Sequence, residues 1–159
     1  MTDFRLIGNR NASERLTSIP IVKSPPYILK TLYSERVESP RPGDLYLATV
    51  DFQLTTSYAY VVMLASTIRV CTTPDPSTFI EEIAEAQGQN FNMEEHHFNG
   101  TRVGWWAPQA SYPEVYFNVI VYAASAHASP GHTLRVDQDY GRLSILHLSR
   151  PSIVPPAVA

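Results

Sequence analysis

The sequence predicts an all-β domain, a jelly-roll β-sandwich with one short helix and an extended N-terminal arm. Two runs, residues 45–54 and 115–124, alternate strictly between two faces, which is the period of a strand. Turn signals built from Pro, Gly, Asn and Asp recur at short spacing between apolar runs, as in a sandwich or barrel. Tyr (9) and Phe (6), both strand formers, are plentiful, and Pro (13) is frequent enough to punctuate many strands. Seven or eight strands at this spacing suit the jelly roll.

Residues 1–42 read as an extended arm with edge segments. The stretch 1–18 mixes polar and charged types without period. Short apolar runs at 19–22 and 27–33 are split by Ser24-Pro25-Pro26. Pro40-Arg41-Pro42-Gly43-Asp44 is a strong turn signal and opens the body, 43–148. In 45–54, Tyr46, Ala48, Val50, Phe52 and Leu54 form the better core face, opposite Leu45, Leu47, Thr49 and Asp51. Residues 59–72 are β-branched and nearly continuous, the mark of a strand buried on both sides.

The expected helix is 78–86. Thr78 caps it, Glu81 completes a capping box, and Phe79, Ile80, Ile83 and Ala84 make its apolar stripe. Segments 90–98 and 101–106 form an expected hairpin around Asn99-Gly100. In the strongest strand, 115–124, Val115, Phe117, Val119, Val121 and Ala123 share one face. Tyr116, Asn118, Ile120 and Tyr122 share the other. Short strands at 133–137 and 142–148 follow, then a Pro-rich tail, 149–159.

A chain of 159 residues with 44% hydrophobic and 17% charged residues is one globular domain. Its net charge of −3 argues against nucleic-acid binding, which needs a basic surface. Residues 1–42 carry seven basic and four acidic side chains, the remainder five and eleven. A basic front on an acidic body is expected to dock on a neighbour in a larger assembly. Cys71 is the single cysteine, so no intrachain disulfide forms; in its apolar run it reads as an inert buried thiol. Residues 1–10 are too polar for a signal peptide, and no membrane span is expected.

The closing strands resemble those of the C1q/TNF-like jelly-roll superfamily. The residues that carry the resemblance are Val115 to Tyr122, His132 to Val136 and Gly141 to Leu146, within 112–148. The resemblance implies a homotrimeric binding or structural module, of the kind found as receptor-binding heads or decorating proteins on virus and phage particles. The expected location is a virion or extracellular assembly surface, and otherwise the cytoplasm.

Three functions are weighed. The leading one is a non-enzymatic homotrimer that binds a glycan or a cell-surface receptor, with Tyr116, Asn118, Ile120 and Tyr122 at the subunit interface. Charge is depleted and aromatic content high on that face. Trp105, Trp106 and Tyr112 are the expected ligand contacts. Adjacent tryptophans point opposite ways, so one is expected in the core, and the other either offers a stacking surface or is itself buried in the sandwich or a subunit interface. The second function is a capsid-decorating cement protein whose arm and tail clamp other virion proteins.

The third is a cupin-like metal enzyme, suggested by Glu94-Glu95-His96-His97 with His127, His132 and His147. Adjacent histidines face opposite sides of a strand, so His96 and His97 cannot share one ion. No catalytic residue, metal or cofactor is expected.

Overall fold

The computed structural model describes residues 3–11, 18–55, 60–84, 89–93, 97–136 and 141–149. Their strands are β1 (Asp3–Asn11), β2 (Ser18–Val22), β3 (Lys30–Glu38), β4 (Leu45–Thr55), β5 (Tyr60–Cys71), β6 (Phe79–Ala84), β7 (Gln89–Met93), β8 (His97–Trp106), β9 (Glu114–Ala124), β10 (Thr133–Val136) and β11 (Arg142–Ser149). They build two layers. In sheet A, β4 is flanked by β8 on one side and by β11 and β10 on the other, with β1 outside β11. In sheet B, β9 lies between β5 and β3, and β5 carries β6 and β7 on its far edge. Strand β2 joins the layers, pairing first with β10 and then, in parallel, with β9. This is the expected all-β jelly-roll sandwich.

The core forms where the alternating faces meet. Tyr46, Ala48, Val50, Phe52 and Leu54 of β4 face Val115, Phe117, Val119, Val121 and Ala123 of β9, and all are buried. Both faces are those the sequence assigns to the interior. Among the described residues, the side of the sandwich between β8 and β6 is closed tightly. A Cβ on Gly104 would come 2.6 Å from the Ile83 carbonyl oxygen, so only glycine lets these edges meet.

Three local expectations are corrected. The helix expected at 78–86 is absent from its described part, 78–84: a 3-10 turn, Pro76–Thr78, leads into β6. Asp75, not Thr78, does the capping, accepting a hydrogen bond from Ser77 N at 2.8 Å. Strand β6 pairs with β5 through two register shifts. These bulges break the period of two, so Ile80, Ile83 and Ala84 face inward at a spacing that mimics a helix.

Asn99-Gly100 is no turn either, because β8 runs straight through it alongside Gln53 and Phe52 of β4. Gly100 makes room for the Phe52 ring, which would lie 2.3 Å from a Cβ there. Segment 90–98 does not form a hairpin with β8; its described part, β7, pairs with β5.

The arm expected over 1–42 meets three paired strands. It is extended, and β1 and β3 are edge strands, but both are hydrogen bonded along their length into the body. The solvent side of β3 is charged, as at Arg36 and Glu38, and this hides its strand period from the sequence. The tail from 150 onward lies outside the described residues.

Candidate functional site

On the opposite side, edge strands β1 and β3 border a cleft of about 940 Å³. Its floor is one cross-strand row on the inner face of sheet A. The register sets Trp106 beside Tyr46, Tyr46 beside His147, and His147 beside Arg5. The row therefore passes from sealed aromatic core to a charged side chain at the open edge. Tyr46 lies 5.6 Å from Trp106 and stacks on His147 at 4.6 Å and 10°. Trp106 also packs on Phe117 at 5.8 Å and on Tyr112 at 6.1 Å.

Two loops form the rim. Residues 39–44 and 111–113 are tied by Ser39 N to the Pro113 carbonyl at 2.9 Å and Tyr112 N to the Pro40 carbonyl at 3.0 Å. Asp44 sits at their base, nearly buried. Its carboxylate accepts the Arg41 amide at 3.1 Å and the Tyr46 hydroxyl at 3.3 Å, and lies 3.1 Å from His147 Nε2. Burial, and then the adjacent Asp44 charge, push the Tyr46 hydroxyl far above its ordinary ionisation. It stays protonated as a donor to Asp44. Arg36, on the outer side of β3, is held by Glu38 and by Glu114 at 3.1 Å.

The expected ligand contacts are thus divided. Tyr112 is half-buried and lines the cleft. Trp106 is 2% exposed, packs beside Tyr46 and is not among the residues that line the cleft. Trp105 is 52% exposed on the opposite face of sheet A, away from Tyr112. Sequence reasoning missed Arg5, Arg41, Asp44, Tyr46 and His147. They come from four separate strands and loops, and the register brings them together.

Trp105 belongs to a different feature. On the outer face of sheet A the register aligns Leu6, Leu146, Leu47 and Trp105 in one row across four strands. Leu45 and Leu148 flank the row on one side and Val103 on the other. Leu6 is 55% and Val103 53% exposed. Together with Trp105 they leave on the order of 300 Å² of apolar surface in water, the size of a monomer's largest patch, which is often functional.

The β9 face expected at a subunit interface is largely covered by its own chain. Ile120 and Asn118 are buried, and Asn118 Nδ2 donates to the carbonyls of Thr73 at 3.3 Å and Pro74 at 3.2 Å. The turn after β5 folds back over them, and no local pattern signals it. Tyr116 and Tyr122 stay half-buried. Tyr116 donates to Glu114 at 3.0 Å, and Tyr122 stacks on Tyr27 at 4.8 Å beside exposed Ile28 and Leu29.

Glu94, Glu95 and His96 lie outside the described residues, and of His97 only the backbone, opposite Thr55, is described. His127 and His132 belong to the turn after β9, far along the chain from the cleft's His147. Among the described residues no group of three or more His, Cys, Asp or Glu is arranged to hold a metal. No helix among them is long and apolar enough to cross a membrane.

No protein-family model matches the chain, and no curated protein matches it. Among solved structures it is similar to a chain of the T13 particle of infectious bursal disease virus, at a TM-score of 0.60 and 13% identity, over 94% of this chain and 32% of that one. It is also similar to VP2 of the subviral particle of the same virus, at 0.54 and 12%, over 98% and 35%. The chain spans about a third of the length of these viral chains. At such identity the likeness establishes the fold alone, a jelly-roll β-sandwich. It does not single out the C1q/TNF-like subclass.

Proposed function

We propose that this chain is a non-enzymatic jelly-roll module at the surface of a virus-type particle. It packs against further copies of itself as a homotrimer and binds a surface ligand, a glycan or a cell-surface receptor. The observation that carries the reading is the row Leu6–Leu146–Leu47–Trp105, which leaves large apolar side chains in water on a face without charge at its centre. Apolar patches of this size are often functional, and a subunit interface would cover this one.

A second, unlike apolar patch stands on sheet B at Tyr27, Ile28, Leu29 and Tyr122. Unlike halves are what a closed ring of copies brings together, whereas a two-fold pair needs only one self-complementary patch. The similar chains come from icosahedral particles, which are built from repeated copies. The cleft favours binding over catalysis, because Tyr46 is held protonated and Asp44 accepts hydrogen bonds from the Arg41 amide and the Tyr46 hydroxyl.

The test is Trp105→Arg, which sets a charge into the row without touching the core. Mass in solution should fall from the assembled to the single-chain value while the melting temperature holds. An unchanged mass would overturn the reading.

A further inference from the structure

The charges of the cleft are unequally satisfied. Every carboxylate that lines it has a partner: Glu38 is paired with Arg36, Asp44 with His147, Tyr46 and the Arg41 amide, and Glu35 is partnered as well. Two of its cations do not. Among the described residues, the guanidinium groups of Arg5 and Arg41 make no ion pair or hydrogen bond, although both line the cleft. Arg41 shares the cleft lining with Tyr46. Arg5 ends the inner-face row at the open edge.

Unpaired guanidinium groups facing a cleft are preformed donors for an oxyanion. Around them are the half-buried ring of Tyr112 and the hydroxyl-bearing Ser39 and Ser111. A flat aromatic face beside many polar partners suits a sugar ring, which has an apolar face and a hydroxylated edge. The volume lies within the range of small-ligand sites.

We infer that the cleft binds an anionic saccharide, its carboxylate or sulfate held by Arg5 and Arg41 and its ring laid against Tyr112. This rests on the binding-module reading and names the class of ligand. An acidic peptide is disfavoured because the half-buried ring of Tyr112 offers a flat apolar surface that suits a sugar ring and is not needed by a carboxylate chain.

The experiment is calorimetric titration of the full chain with sialylated, uronic-acid and sulfated oligosaccharides, with their neutral counterparts, and with a poly-glutamate peptide. Arg5→Gln, Arg41→Gln and, as a control on the outer face of sheet A, Arg142→Gln are titrated in parallel, with melting curves for each. Carboxylated or sulfated sugars should bind at least tenfold more tightly than neutral ones, and whichever of the two binds identifies the anion. Either cleft variant should lose that preference at unchanged melting temperature, while Arg142→Gln keeps it.

Equal binding of neutral sugars, unaffected by Arg41→Gln, would overturn the inference and leave the binding module standing. Tighter binding of the peptide, or no binding by any probe, would also overturn it. The assembled mass, measured on the same samples, tests the other half of the reading separately.

Discussion

Trp105 and Trp106 are chain neighbours with opposite fates, and replacing each by alanine separates core from surface. Trp106 is 2% exposed and packs on Tyr46, Phe117 and Tyr112 at ring distances of 5.6, 5.8 and 6.1 Å. Sheet A cannot collapse to fill the space, because β4 and β8 are paired along their whole length. Trp106→Ala should therefore cost about 3–5 kcal/mol, the range for large aromatics removed from a core. For a domain of this size that lowers the melting temperature by roughly 6–20 °C. Trp105 is 52% exposed and touches no core ring, so Trp105→Ala should change stability by less than about 1 kcal/mol. Its effect should appear instead as weaker self-association. Calorimetric melting and light scattering on both variants make the comparison. Equal melting temperatures, or an early-melting Trp105 variant, would refute the assignment of faces and with it the cleft floor.

Gly104→Ala should destabilise by about 1–3 kcal/mol, because the new Cβ meets the Ile83 backbone, which cannot swing aside; chemical denaturation reads this. The Tyr33 hydroxyl is buried without a partner and pushed up from 10.0 to about 12, first by burial and then by Asp51. Between roughly pH 10 and 12 the unfolded chain releases a proton that the folded chain keeps, so stability falls as pH rises, by up to roughly 2–3 kcal/mol. Tyr33→Phe should flatten that decline in a pH series of denaturation curves and cost nothing at neutral pH. Cys71 is fully buried and its thiol is pushed up by burial, so it should resist alkylation at pH 8 until denaturant is added. Rapid labelling of the native protein would contradict its placement.

The long strands were legible because one physical fact governs them. Strands β4 and β9 each bury one face and keep strict alternation, so period alone finds the core residues of both. Strand β6 was illegible because two bulges shift its alternation, leaving Ile80, Ile83 and Ala84 at helical spacing. Gly100 was misleading for the opposite reason: the sequence shows a glycine, but the Phe52 ring that requires it lies 48 positions earlier.

Edge strand β3 carries charge on its solvent side and so looks like part of a free arm. Of the cleft, only Tyr112 stood out. Arg5, Arg41, Asp44, Tyr46 and His147 are ordinary residues in the sequence, and only the pairing of β1, β11 and β4 gathers them. The apolar row was half visible, since Leu45 and Leu47 are apolar on the face opposite the core. Recognising it required Leu6, Leu146 and Trp105 to be aligned by register.

The central claim is that the outer apolar faces are covered by further copies of the chain. Sedimentation equilibrium of the unmodified protein at micromolar concentration and moderate salt tests it most directly. The account predicts a single species at three times the 17.8 kDa chain mass, dispersing when Trp105 is replaced by arginine. A stable 17.8 kDa monomer across that concentration range would contradict it.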